Sequence, residues 1–505
     1  MSITASMLYD YVQCPHRVWR DVWGPQEEKI QETNPFLELL WQRGIQHEEE
    51  VIQNIGQFVD LSEGTLNERY QATLQEMRKG TSLIYQGVLI YENLLGIPDL
   101  LELQPNSQYI PVDIKSGAGL EGINDEEGEE GKPKKHYALQ LCLYVDALKK
   151  NEFATENTGV IIDIHRNEVI YELDKPQSKR NQQTWWELYQ EVKEEVGLLR
   201  ENQKHNKPAL VGVCKLCPWY SSCKKWCKET NDLTNIFYLG RKVRDTLNSD
   251  LGIENLNQLL VLDVEYALAQ KTKNKDFMKG IGESTLNSIR RRADILVNIK
   301  MPVVYNPIIF PKVSIELFFD IEDDPTQDFV YLHGIYERRN REGRCAYFLT
   351  EENTQDSERK AWKDFWDYIR ALPPNDFAVY YYSHHEKTTY KKLRERYPDA
   401  ISETDLDTYF SSTYFIDLYS CVSQNTDWPL SSYSIKEIAT SLEFKWRDET
   451  PSGALSIQWY NQYLDTGDKS LLQRILEYNE DDCKATMVLK DGLESLSDEK
   501  FPKKD

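Results

Sequence analysis

Carboxylates near the C-terminus are spaced as a site for hard cations requires. Asp320 and Glu322 stand two apart at the end of an apolar run, VSIELFFDIE. On a strand, residues i and i+2 point to the same face, so both carboxylates aim at one spot. Tyr478 and Asp482 stand four apart in a late helical stretch, which puts phenol and carboxylate on one helix face. Between these pairs, AVYYYSHHEKTTYKKL reads as a strand running into a helix, with Glu386 at the helix start. Hard cations such as Mg²⁺ and Mn²⁺ prefer oxygen ligands, and several convergent carboxylates suit a pair of them. Two such ions about 4 Å apart activate a water and stabilise the leaving 3′ oxygen of a phosphodiester.

A second constellation lies in the N-terminal half: Gly96-Ile-Pro-Asp99, then Val112-Asp113-Ile-Lys115, then Gln140 and Tyr144 four residues apart. Asp113 and Lys115 share a strand face. Asp99 and Asp113 can share a divalent cation, while the Lys115 ammonium positions water or meets the charge developing on phosphate. Gln140 and Tyr144, one helical turn apart, can reach the same substrate. Nine cysteines are an odd number for a disulfide scaffold, and five of them are scattered. Four cluster as Cys214, Cys217, Cys223 and Cys227, and thiolates favour iron–sulfur clusters or zinc over hard ions.

These residues need elements to hold them. Strands are expected over Ser82–Tyr91, Gln108–Lys115 and Gly159–Ile164, and helices over Asn34–Ile55, Tyr137–Lys149 and Gln183–Glu201. GLEGINDEEGEEGKPKK is acid- and Gly-rich and reads as a solvated loop. Residues 231–312 read as helical, with turn signals in LGIENL and KGIGES, and MPVVYNPIIFPK reads as a Pro-punctuated linker. From residue 313 strands start afresh and give way to helices, an α/β signature. At 505 residues the chain exceeds one ordinary core. The expected domains are 1–230, 231–312 and 313–505.

FDIE, HHEKT and YNEDD resemble the three motifs of the DEDD 3′–5′ exonucleases of the RNase H-like superfamily, and the Tyr-x3-Asp spacing is that of the tyrosine subgroup. The resemblance implies Asp320, Glu322, Glu386 and Asp482 as metal ligands and Tyr478 as the residue that orients the attacking water. Glu386 stands where many members have Asp. The N-terminal constellation resembles the PD-(D/E)xK nuclease core, specifically the RecB-like branch that includes CRISPR-associated exonucleases. That branch implies His47, in RGIQHEEEV, as a further metal ligand. It also implies an iron–sulfur staple from Cys14, Cys214, Cys217 and Cys223, of the [4Fe–4S] type. A closed Cys₄ zinc site is the chemical alternative, and Cys227 can substitute for Cys223. FMKGIGESTLNSIRRRAD resembles a helix–hairpin–helix element, whose turn offers backbone N–H groups to phosphate. The expected fold is therefore α/β multidomain: a PD-(D/E)xK restriction-endonuclease-like domain, a helical helix–hairpin–helix-like linker and an RNase H-like domain.

The formal charge of −23 argues against a protein that coats nucleic acid nonspecifically. Residues 224–312 nonetheless carry 15 Lys+Arg against 10 Asp+Glu, leaving −28 for the rest. No apolar run approaches a membrane span and no signal peptide stands out, so a cytoplasmic protein without a membrane partner is expected. The resemblances together point to a metal-dependent nuclease with two heads, acting on single-stranded DNA ends. RNA as the substrate of the C-terminal head, or a nucleic-acid-binding scaffold with one inactive head, are the rival readings.

Overall fold

The computed structural model describes residues 2–30, 35–122, 131–179, 181–340 and 342–501. The chain divides into two compact units, residues 1–208 with 212–223, and residues 209–211 with 224–505.

In the first unit, helices α1 (Ala5–Gln13), α2 (Pro15–Trp23) and α3 (Pro35–Asn54) precede strand β1 (Val59–Asp60). Then follow α4 (Leu66–Lys79), β2 (Leu83–Tyr85), β3 (Leu100–Leu103), β4 (Tyr109–Ile114), α5 (Lys135–Lys150), β5 (Thr158–Ile162), β6 (Glu168–Glu172) and α6 (Trp185–Arg200). These six strands lie in the order β6-β5-β4-β3-β2-β1. β4 and β5 are parallel neighbours, and α5 is the long crossover that a parallel pair needs. Helix α5 is apolar over most of its surface, with Leu139, Leu141, Leu143, Val145 and Leu148 fully buried. Such a helix must be covered on several sides at once, and α1, α6 and the sheet cover it.

The stretch Ser82–Tyr91, expected as one strand, is two. Leu83–Tyr85 belongs to the six-stranded sheet, whereas Leu89–Tyr91 pairs with Leu94–Gly96 in a separate sheet that includes Ile3–Thr4. The break comes at Gln86, whose φ is 56°. At the following Gly87 a Cβ would lie 2.9 Å from the Leu101 side chain. The ends of the acid-rich stretch pair as Leu120–Glu121 with Lys132–Pro133, while its residues 123–130 lie outside the described residues.

Helix α7 (Tyr220–Glu229) carries Cys223 and Cys227. The second unit continues with α8 (Arg241–Leu251), α9 (Leu256–Leu260), α10 (Val264–Lys273) and α11 (Glu283–Asp294) around a small core that includes Leu247, Leu259 and Leu286. MPVVYNPIIFPK is not a free linker. Val303–Val304 pairs with Thr426–Asp427, and Ile308 and Phe310 are buried in the same core as Phe318. Val304, Ile308 and Phe310 are packing groups, while Ile309 between the last two is exposed.

Next come β7 (Ile315–Asp324), β8 (Phe329–Arg339), β9 (Glu342–Leu349), α12 (Gln355–Arg370), β10 (Phe377–Tyr381), α13 (His384–Arg396), α14 (Glu403–Ser411), β11 (Phe415–Asp417), α15 (Leu418–Asn425), α16 (Ile435–Ser441), α17 (Gly453–Thr466) and α18 (Lys469–Lys500). The sheet order is β9-β8-β7-β10-β11, antiparallel through β9, β8 and β7 and parallel from β7 to β11. Period two along β7 positions the acids. Ile315, Leu317, Phe319 and Ile321 pack with Trp362, Phe365 and Trp366 of α12, while Phe318 packs with Cys483, Leu489 and Leu493 of α18. Asp320 and Glu322 continue the Phe318 face and so turn toward α18.

Candidate active sites

In the second unit, Asp320, Glu322 and Asp482 bring carboxylate oxygens within 4.8 Å of one another. Burial raises Asp320 well above the ordinary carboxyl range, and repulsion from Asp482, Glu322 and Glu386 adds to it. Burial, then Asp482, pushes Glu322 up to about 8. Glu386, in the first turn of α13, is pushed up to about 7 by burial, against the opposing pull of its own backbone N–H, His385 and Ser383. Asn479 donates to Asp320 Oδ2 at 3.0 Å, and the Trp446 indole donates to Asp482 Oδ1 at 2.6 Å. Lys436 Nζ donates to the Tyr478 hydroxyl at 2.8 Å, and burial, then the charge of Asp482, raises that phenol well above its ordinary range. Asp481 turns elsewhere, accepting from the Arg447 backbone N–H at 2.8 Å and its Nε at 3.0 Å.

Two backbone devices aim this site. The β7–β8 register slips between Glu322 and Asp323, a bulge that bends the strand next to the carboxylates. Ser383, joining β10 to α13, sits at φ 129° and ψ 175°, a region otherwise reserved for glycine that costs about 1–3 kcal/mol. Its Oγ accepts from the His385 N–H and donates to Glu386, both at 3.2 Å, which holds the strained junction and the acid together.

In the first unit, Asp113 is 1% exposed and forms an ion pair with Lys115. Asp99 accepts from the Ile114 N–H at 2.7 Å. Burial, then Asp113, raises Asp99 well above its ordinary range; Glu48 adds to the rise and Lys115 opposes it. Gln140 Nε2 donates to the Tyr144 hydroxyl at 2.8 Å, and Tyr144 feels the charges of Asp113 and Asp99. Gly96 lets that ring in: a Cβ there would lie 2.6 Å from Tyr144 Cδ1. Asp99, Asp113, Lys115, Gln140 and Tyr144 thus form one group. His47 is buried, with Nε2 3.1 Å from the Asp163 carbonyl. It is the next residue, Glu48, that connects to Asp99: Gln86 Nε2 donates to Glu48 at 3.1 Å and to Asp99 at 3.3 Å.

Residues 11–224 match the family model of the PD-(D/E)XK nuclease superfamily, and residues 317–494 match that of the RNase H superfamily. The chain carries two nuclease-superfamily domains. No curated protein and no solved structure gave a match. A chain built from these two domains is a nuclease, a hydrolase acting on nucleic acid.

Within the PD-(D/E)XK domain, Cys223 lies close enough to Cys14, Cys217 and Cys214 to feel their charge. Burial pushes its thiol up to about 12, with Arg20 opposing and those three thiols adding. Cys217 is raised as well, by burial first. Gathered thiols that resist ionising alone suit a soft metal, which displaces their protons on binding. Cys227, one turn further along α7, is fully buried beside the Thr234 hydroxyl at 3.9 Å.

The middle helices bond three of their arginines to acceptors of the protein itself. Arg290 donates to the Leu262 carbonyl at 3.1 Å, and Arg291 and Arg292 each reach Asp427 at 2.7 Å. In KGIGES, Gly280 takes φ 83° and Gly282 opens α11 without a side-chain cap. In LGIENL, Asn255 accepts from the Gln258 N–H and caps α9.

Reasoning from sequence missed Lys436, Trp446 and Asn479 in one domain and Glu48, Gln86 and Tyr137 in the other. Lys115 and Lys134 place their ammonium groups 5.8 and 5.2 Å from the Tyr137 ring. Tyr137 carried a readable signal, since it stands in the first turn of the helix that presents Gln140 and Tyr144. Lys436 carried another: Ser434-Ile-Lys-Glu437 has a helix-start spacing, with a lysine where the helix N-terminus disfavours a cation. Gln86 and Trp446 carried none.

Proposed function

We propose that both domains hydrolyse phosphodiesters with Mg²⁺ or Mn²⁺, and that the chain is an exonuclease acting on single-stranded DNA ends. The observation that supports this best is the convergence of Asp320, Glu322 and Asp482 within 4.8 Å, with Glu386 near enough to Asp320 to repel it. Buried carboxylates so close, each raised above its ordinary range, fit divalent cations better than they fit one another. Bound there, the cations supply charge neutralisation and an activated water. The chain's own part is to hold and aim. Asp320, Glu322, Glu386 and Asp482 are the ligands, Asn479 and Trp446 fix two of those carboxylates, and Tyr478 orients the water.

In the PD-(D/E)XK domain, Asp99 and Asp113 hold the cation with His47 as a further ligand. Lys115 stabilises charge on the phosphate, and Gln140 and Tyr144 hold the strand. Cys14, Cys214, Cys217 and Cys223 are the ligands of a [4Fe–4S] cluster, with zinc as the alternative occupant. Its work is structural: four thiolates from α2's entry and from residues 214–223 clasp distant parts of the domain.

The test is degradation of end-labelled single-stranded DNA with Mn²⁺ or Mg²⁺ by anaerobically purified protein. Wild type, Asp113→Ala, Asp320→Ala and the double variant are compared, with a matched RNA strand alongside. Each single variant is expected to lose part of the activity and the double all of it. A double variant as active as wild type overturns the assignment of both sites, and cleavage of the RNA alone overturns the choice of DNA.

A further inference from the structure

Lys436 is a cation that the RNase H-like site holds among its acids, and none of the three sequence motifs contains it. It is the second residue of α16, where the helix N-terminus disfavours positive charge. Its ammonium spans to α18, donating to the Tyr478 hydroxyl at 2.8 Å and to the Pro451 carbonyl at 2.8 Å. It also lies 4.8 Å from the Tyr478 ring centroid. The charge opposes the repulsion felt by Asp320, Glu322 and Asp482 alike.

The bonding capacity of the two groups decides what this contact does. An ammonium has donors and no acceptor, so the bond runs from Lys436 to the phenol oxygen. A phenol has one proton and two lone pairs, and with one lone pair turned to the ammonium its proton must point elsewhere. With one lone pair committed to Lys436, the hydroxyl is no longer a free rotor. One acceptor direction remains.

We propose that Lys436 is a positioning residue for hydrolysis: by donating to Tyr478 it fixes the phenol so that its remaining lone pair meets the attacking water. The inference rests on the reading of Tyr478 as the water-orienting group. Lys436 acts through that phenol, and the Pro451 carbonyl anchors the same ammonium. A salt bridge to substrate phosphate is a different role, and the two roles affect different kinetic constants.

The experiment uses the full chain carrying Asp113→Ala, so that nucleotide release reports the RNase H-like domain, with Mn²⁺ and a single-stranded oligonucleotide. Lys436→Met is expected to lower kcat roughly 10- to 100-fold with KM unchanged, the scale of a misplaced reacting group. Lys436→Gln keeps a neutral donor and is expected to retain most of the rate. The double variant Lys436→Met, Tyr478→Phe should be no slower than the slower single, because both act on one hydroxyl. A rise in KM with kcat intact, losses that multiply, or a Gln variant as poor as Met would each overturn the proposal. If Tyr478→Phe alone keeps the full kcat, the reading of the site fails and the proposal with it. Thermal midpoints of the same samples guard against misfolding. Should the Met variant not fold, the Gln and Phe variants and their double decide by the same criteria.

Discussion

At the residue scale, the RNase H-like site concentrates negative charge where water is scarce. Glu322 and Glu386 stand at about 8 and about 7 against an ordinary 4.5, with burial the leading cause in each. Both therefore keep their protons in the metal-free fold at pH values where the unfolded chain has released them. Between roughly pH 4.5 and 8 the folded state binds more protons, so its stability falls as pH rises through that window. The thermal midpoint in EDTA should decline from pH 5 to pH 8.5, and added Mn²⁺ should raise it most at the alkaline end. A midpoint flat across that range in EDTA would mean that these acids ionise freely in the folded protein.

At the element scale, β8 and α18 approach closely because β8 has no side chain at one point. Gly334 pairs with Asp320 across the sheet, and a Cβ at Gly334 would lie 1.6 Å from Asn479 Oδ1. Gly334→Ala should cost about 3 kcal/mol, the upper range for overpacking, and should displace Asn479 from Asp320. Denaturant unfolding and the rate of nucleotide release should fall together, whereas cleavage by the PD-(D/E)XK domain should not. The spacings that sequence could supply are those internal to one element. Asp320 and Glu322 on a strand, or Tyr478 and Asp482 on a helix, share a face by periodicity alone. What crosses between elements was hidden. Lys436 reaches Tyr478 from 42 residues away, and Gln86 bridges two acids from a backbone with positive φ. Ser383 reads as an ordinary helix cap, and nothing in its neighbours announces the strained junction. The linker misreading has the same origin: Ile308 and Phe310 become core only once a strand pair brings them to α18's side of the sheet.

At the scale of the whole molecule, the basic excess of residues 224–312 is not a free phosphate-binding surface throughout. Arg291 and Arg292 are spent on Asp427, a carboxylate 1% exposed that Tyr305 also reaches at 3.1 Å. Arg292→Ala should cost about 2 kcal/mol, less than stripping a buried charge entirely, because Arg291 and Tyr305 remain. Its affinity for a single strand, measured by anisotropy on folded protein, should be unchanged; a loss of affinity at unchanged stability would return that arginine to the nucleic-acid surface. The bond from the Trp446 indole to Asp482 Oδ1 has an optical side as well. Of the chain's 12 tryptophans, this indole touches a proposed cation ligand directly. An ion that withdraws electron density from that oxygen alters the field at the chromophore, so filling the site should move the emission of the intact protein. The difference between wild type and Trp446→Phe then gives a binding isotherm in the absence of any substrate, from a probe the fold already contains.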